Sequence, residues 1–440
     1  MAAVFVAWIR GVRIWNPLTI ILFWWGGWFA VACLQPFGLY EIKLPTFLIF
    51  TAFVFTLACS VALTIQRNSG VSLPLTPQKD ILSTISLIAA VVVSPAILYF
   101  AFVSYMVFGS YSGTENIRTA LLMTDHSLIF GSDFMRSSFI LLAGSTVYLS
   151  NIAACIQVIV YNKWIAFVFT FILTVMYAGI EGGRSAVFRY VFLLVITASF
   201  HFSWREWLLF LRKRVLLIVS LVILMTLVLA VNTIRRDGET SRLGDHIIQF
   251  VNYHTCGPLL FQSAYEDPSS VLSKWPQFGR CSASGAEQVV LMGIRRIIPG
   301  YVTEFAANLS EYVYDFKQVG DNNGQPITSN AYYTTLFLLY ADFRWGGVTI
   351  VAFLSFWWIE RKRQQWVCKH SNAALWMGIN LALFWVFSIY QSPLQNFWFV
   401  PSTFVILIYG MFEKYSGKVE EPNKAQGKLL KRRATFRFNF

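Results

Sequence analysis

Long apolar runs alternate with short polar breaks along most of the chain. Crossing a hydrocarbon core takes a helix of about 20 apolar residues. Read that way, the runs predict ten spans, near residues 15–34, 45–65, 81–108, 137–161, 164–180, 187–204, 215–233, 333–359, 373–390 and 398–412. The runs near 164 and 187 are short and meet at a tight junction, Glu181-Gly-Gly-Arg184. The third run is long and holds Pro95, which predicts a kink or tilt. No internal repeat relates the two halves, which argues against a transporter built from repeated bundles.

The pattern has one long interruption, Ile234–Asn330, 97 residues in length. Within it Ser284-Gly-Ala-Glu287 has the form of a capping box, opening a helix through Val289, Leu291 and Ile294 that Pro299 stops. Val302, Phe305, Leu309, Tyr312 and Phe316 recur at spacings of three and four, the apolar face of a second helix. Asp245–Tyr265 is apolar enough to dip into an interface, and Gly320–Gly324 is the expected flexible turn. The interruption is therefore expected to be a small helical cap. In the other sizeable break, 109–136, Thr119–Met123 predicts a short interfacial helix. The expected fold is an all-α polytopic membrane protein. It has a seven-helix region at 1–233, the large helical loop at 234–330, a three-helix region at 331–412 and a basic tail at 413–440.

Composition agrees. The chain of 440 residues is 56% hydrophobic and 13% charged, against about 25% charged for a soluble domain. A formal net charge of +13 would suit nucleic acid, but its placement suits a bilayer instead. Segments 1–14, 66–80, 162–163, 205–214, 360–372 and 413–440 hold 21 of the 35 basic residues. The short breaks on the other side, 35–44 and 391–397, hold one and none. This asymmetry predicts that both termini are cytoplasmic, and an even number of spans agrees with that. Residues 234–330 then face outward; they carry eight Lys/Arg and ten Asp/Glu, and long loops translocate largely regardless of charge. Met1–Arg13 is short and the apolar run continues to Leu34 without a clean cleavage site, so no cleavable signal is expected. Six scattered cysteines show no metal-ligand spacing and there is no DxD pair, so no metal or cofactor is expected.

The chemistry-bearing residues concentrate in the outer segments. Arg184, Arg235, Arg236, Arg242, Arg280, Arg295, Arg296 and Arg344 supply planar donor forks suited to phosphate oxygens. Two unit charges about 4 Å apart gain roughly 4 kcal/mol at an effective dielectric near 20, so two or three such residues would anchor a diphosphate. Headgroup contact and ion pairs with the acidic residues are the alternative use of the same side chains. Arg184 follows Gly182-Gly183, where a ligand can approach the backbone closely. Tyr340, Asp342 and Arg344 lie within or at the end of an apolar run, where ionisable groups cost roughly 2.5–3.5 kcal/mol each. Two positions apart, Asp342 and Arg344 would not face each other on a helix, so each needs another partner. His254 titrates near working pH and is a candidate base, with Glu304 and Glu181 as competitors. Cys256 and Cys281 are the two cysteines outside the spans on the outer side; an oxidising periplasm would permit a disulfide, and two free buried thiols are the other arrangement.

The chain resembles the O-antigen and capsule repeat-unit polymerases of bacterial inner membranes. The likeness is architectural, joined to Asn16-Pro-Leu18 entering the first helix, Gly182-Gly-Arg184-Ser185 at an outer junction, a large late outer loop, and Tyr340-Ala-Asp-Phe343 followed by Gly346-Gly347. The family commonly has glycine where Arg344 stands. The resemblance implies a metal-independent glycosyltransferase with a bundle of the broad GT-C type, acting on undecaprenyl-diphosphate-linked oligosaccharides. A growing glycan would pass to the terminal sugar of a new lipid-linked repeat at the periplasmic face. Arg295, Arg296 and Arg184, with Arg235, Arg236, Arg280 and Arg344, would bind the diphosphate. His254, Glu304 or Asp342 would orient or deprotonate the acceptor hydroxyl. Tyr301, Tyr332, Tyr333, Tyr340 and Trp275 would meet the substrate's sugars. A chain-length regulator and a flippase of the same pathway are the implied protein partners. An O-antigen ligase and a flippase or transporter are the rival readings.

Overall fold

The computed structural model describes residues 15–65, 80–110, 127–180, 185–215, 243–298, 301, 303–322, 324–329, 333–389, 392–396 and 398–415. The expected seventh span beyond Val215, the Thr119–Met123 helix and the basic tail beyond Tyr415 therefore lie outside the described residues, as do Glu181, Arg184, Arg235, Arg236, Arg242 and Tyr332.

The apolar runs become helices α1 (Pro17–Cys33), α2 (Leu44–Thr64), α3 (Ile81–Ser110), α4 (Ser145–Tyr161), α5 (Ile165–Ile180) and α6 (Ser185–His201). A shorter helix, Asp133–Phe139, runs through a π turn, Ile140–Gly144, into α4. A basic break follows as α7 (Trp204–Lys213). Among the described residues three helical stretches are long and apolar enough to cross a membrane: Leu44–Thr64, Ile81–Val107 and Phe134–Tyr161. Four shorter apolar helices, α1, α5, α6 and Asn372–Phe387, stand beside them.

The large interruption folds as α8 (Leu243–Thr255), α9 (Gly257–Glu266), α10 (Ser284–Ile297), α11 (Glu304–Tyr314) and a hairpin of β1 (Lys317–Asn322) with β2 (Gln325–Ser329). The hairpin corrects the all-α expectation. Its strands are antiparallel, with Asn322 opposite Gln325, and Gly324 takes the left-handed φ of +85° that closes the turn. Tyr40 N–H donates to Val319 O at 3.0 Å, so the 36–40 turn after α1 adds to the strand edge.

The predicted capping box does not form. Ala283 is already helical and serves as N-cap, Ser284 is the first residue of α10, and Glu287 instead accepts from Thr303 Oγ1 at 2.5 Å. The expected span 333–359 is also corrected. It divides into α12 (Thr335–Phe343), a break at Arg344, a π turn (Gly347–Val351) and α13 (Ala352–Lys369). Helix α13 runs through most of what the pattern reads as a polar break at 360–372. Helices α14 (Asn372–Phe387) and α15 (Phe399–Tyr415) are the last described elements.

Three carboxylates tie the helix ends together at one end of the bundle. Glu360 accepts from Asn16 Nδ2 at 2.9 Å, from Arg363 Nε at 2.8 Å and from Gln364 Nε2 at 2.7 Å, with both members of the Glu360–Arg363 pair buried. Asp80, just ahead of α3, accepts from Ser83 Oγ in its first turn and from Trp376 Nε1 of α14 at 2.8 Å. Glu413 caps α14 by accepting from Ser371 Oγ and the N–H of Asn372 at 3.0 Å. The described parts of the basic breaks thus gather at one end, and α8–α11 with the hairpin gather at the other.

Candidate functional site

The break at Arg344 builds the most organised polar feature at the capped end. Asp342, fully buried at the last turn of α12, accepts from Cys281 N–H at 2.9 Å on Oδ1 and from Ser282 N–H at 2.8 Å on Oδ2. Backbone bonds from Gln277 to Ala341 O and from Phe278 to Asp342 O, each 3.1 Å, hold the same segment. Arg344 donates through Nη1 to Leu272 O at 2.6 Å and through Nη2 to Lys274 O. Asp342 and Arg344 therefore do have separate partners, and both partners are one loop, 272–282. The loop is clamped like a strap across the end of α12.

The clamp has a backbone cost. Arg344 sits at φ +53°, ψ −136°, in the left-handed half of the map that a residue with a Cβ occupies at a penalty of about 1–3 kcal/mol. Gly347 then lies so near α12 that an added Cβ would stand 2.1 Å from Leu339 O.

The strap presents Trp275, 88% exposed, and Phe278, 80% exposed, beside Lys274 and Arg280. Arg280 lies over the Phe305 ring at 4.0 Å. Large exposed aromatics on a positioned loop suit stacking against sugar faces. At the seam where the strap enters α10, the hydroxyls of Ser282 and Ser284 are buried without a hydrogen-bond partner among the described residues. The hydroxyl of Ser392, in the turn that α10 packs upon, is in the same condition. The packing is close: a Cβ on Gly285 would meet Leu394 O at 1.7 Å. Buried hydroxyls left unpaired are uncommon and want a water or a ligand.

Beneath this seam lies a residue that the loop-centred reading passes over. Arg189, one turn into α6, stacks on Trp398 at 3.7 Å from the ring centroid. Tyr148 of α4 packs on the same tryptophan at 5.0 Å and donates to Asn380 Oδ1 at 2.8 Å. The sequence signal for Arg189 was a cation inside an apolar run.

The other expected residues divide. Arg295 is exposed and donates from Nε to Tyr301 O at 2.9 Å, closing the end of α10. Arg296 and Glu304 lie on α10 and α11. Tyr333 and Tyr340 are buried in packing, Tyr333 against Phe337 and Tyr340 against Phe261 at 5.5 Å, so neither presents a sugar platform. His254 is boxed by Trp28 at 4.5 Å, Phe250 at 4.4 Å and Trp24 at 5.4 Å, with Nδ1 2.8 Å from Phe250 O. Burial lowers its pKa below the ordinary value, an effect the Phe250 carbonyl partly opposes. His254 and Asp342 occupy separate clusters, with α9 between them.

The disulfide is corrected as well. Cys256 and Cys281 are both buried and free. Cys256 Sγ lies 3.4 Å from Ser329 Oγ of the hairpin, and burial pushes its thiol up to about 11. Burial, then the Asp342 charge, pushes the Cys281 thiol higher still. Each sulfur is directed into its own polar contact, one towards the hairpin and one towards the strap anchor. Among the described residues no group of three or more His, Cys, Asp or Glu could hold a metal ion. No family model, no curated protein and no solved structure matches the chain.

Proposed function

We propose that the chain is a membrane glycosyltransferase that polymerises lipid-linked oligosaccharide repeats at the face carrying α8–α11. The observation that carries this reading is the strap at 272–282. An apolar bundle devotes a buried carboxylate, a strained arginine and several backbone bonds to holding one loop. That loop shows solvent two large aromatics and two cations, directly above buried unpaired hydroxyls. Aromatics and hydroxyls suit a glycan; arginines suit a diphosphate.

In this reaction the terminal hydroxyl oxygen of the incoming repeat attacks the anomeric carbon of the growing glycan. The bond from that carbon to the diphosphate oxygen breaks, undecaprenyl diphosphate leaves with the electron pair, and the hydroxyl proton passes to a base. Arg280 on the strap and Arg189 over Trp398 join Arg184, Arg235, Arg236, Arg295 and Arg296 as the proposed diphosphate set. Asp342 is an anchor in this scheme because both its oxygens are committed to backbone amides. The proton acceptor is then Glu304 or His254, the latter kept neutral by burial.

The test is surface-polysaccharide gel profiling of a strain lacking the chain. A polymerase predicts core capped by one repeat, with the ladder restored by the wild-type gene and shortened by Trp275→Ala, Arg280→Ala or Arg189→Ala. Bare core would make the chain a ligase, and an unchanged ladder would end the proposal.

A further inference from the structure

Helix α7 is the part of the basic end that bundle packing does not account for. Ser203 opens it with a capping box: Glu206 N–H donates to Ser203 Oγ at 3.4 Å and Ser203 N–H to Glu206 Oε2 at 2.7 Å. Only Phe202 and Ser203 separate it from the end of α6 at His201, and its two ends are held by Trp204 on Trp15 and by Arg214, just past it, on Asn162. One face is spent on the bundle. Trp207 is buried, stacked on Phe210 at 5.6 Å and on Trp15 at 6.2 Å, and Phe210 stacks on Trp164 at 5.7 Å. Trp204 reaches Trp15 at 5.0 Å. Trp15, Trp164, Trp204 and Trp207 thus form a tryptophan belt at one level, the composition of a membrane–water interface.

The opposite face is mixed. Arg205, Leu208, Leu209 and Arg212 fall at i, i+3, i+4 and i+7, so they share one stripe. Leu208 is 45% exposed and Leu209 55%, and both arginines and Lys213 are exposed. Arg205, Arg212 and Lys213 make no ion pair among the described residues, whereas Arg214 donates to Asn162 Oδ1 at 3.2 Å and covers Trp164. Leucines bracketed by uncommitted cations, on a helix held flat at a tryptophan belt, match the boundary between acyl chains and anionic headgroups. A soluble protein partner would have to reach Leu208 and Leu209 at the level where α6 ends.

We propose that α7 is an in-plane docking element for anionic phospholipid, with Leu208 and Leu209 in the acyl region and Arg205, Arg212 and Lys213 on headgroup phosphates. The proposal rests on the bundle crossing a bilayer, and one arm of the test addresses that separately. The full chain is placed in nanodiscs of phosphatidylcholine with phosphatidylglycerol, with Cys33, Cys59 and Cys368 replaced by serine. A spin label is introduced at Leu209→Cys or, as control, at Phe55→Cys, a lipid-facing position of α2 that is 67% exposed. Both labels are expected to collide with oxygen in preference to a water-soluble nickel chelate. A membrane-facing label at 55 with an aqueous label at 209 overturns the proposal alone; aqueous labels at both positions overturn the bilayer reading with it. Native mass spectrometry of the detergent-extracted chain then counts retained lipid. Phosphatidylglycerol should be retained over phosphatidylcholine, and the R205Q/R212Q/K213Q variant should lose that preference by on the order of tenfold. Equal retention of the two lipids, or a preference unchanged in the variant, overturns the headgroup assignment.

Discussion

At the scale of single residues, Arg344 states the balance most clearly. A glycine there would adopt φ +53°, ψ −136° freely. The arginine accepts the strain and returns two charge-assisted bonds to the strap, each worth about 1.5–3 kcal/mol net. Arg344→Ala loses both bonds and keeps the strain. Arg344→Gly loses the same bonds but relieves about 1–3 kcal/mol, less the roughly 0.5–1 kcal/mol that glycine adds to the freedom of the unfolded chain. The glycine variant should therefore melt above the alanine variant, both below wild type, by scanning fluorimetry in detergent. The reverse order would show that the backbone at 344 is not strained. That Asp342 and Arg344 need separate partners is legible from their spacing. The partners' identity is not, because they are backbone groups 60 to 72 positions away that carry no side-chain signature.

At the scale of elements, the apolar period reads well and its exceptions are instructive. Helices α1 to α6, α14 and α15 follow from composition because each buries or exposes apolar side chains over nearly its whole surface. The hairpin is illegible because Lys317–Ser329 carries few β-branched residues and draws support from the 36–40 turn instead. The capping box misleads because the Gly279–Ala283 turn delivers a chain already helical, leaving Ser284 inside. Helix α8 shows how an element can carry a titration. His254 holds it to α1 through Trp24 and Trp28, and burial keeps the folded pKa below the unfolded 6.5. A depressed pKa means that the unfolded or undocked form binds protons more readily. The stabilisation is thus complete above pH 6.5 and lost as pH falls through the folded value. Hydrogen exchange over Leu243–Thr255, corrected for the intrinsic rate, should quicken on acidification from pH 7 to 5. In His254→Phe it should stay flat; equal acceleration in both would place the titration elsewhere.

At the scale of the whole molecule, the two ends are built on different principles. The capped end holds its loop with backbone amides gathered on one buried carboxylate. The basic end satisfies its buried charge internally: Glu360 takes Asn16, Arg363 and Gln364 together, joining α1 to α13 across 344 positions. The charge pattern reads 360–372 as a loop because a charge normally avoids a core; here a bidentate pair lets the helix continue inward. Such a pair offers little net stability, since removing two charges from water costs several kcal/mol per ion, but breaking it strands the survivor. Glu360→Gln should cost up to about 3–5 kcal/mol, because the fully buried Arg363 loses the carboxylate that holds it bidentately. Replacing both, as Glu360→Leu with Arg363→Met, removes both charges and the desolvation each costs. The double variant should therefore melt closer to wild type than the single one, and should still insert and extract as a folded chain. If the double variant is instead the worse of the two, the pair is holding α1 against α13 through Asn16, and its attraction exceeds the desolvation it costs.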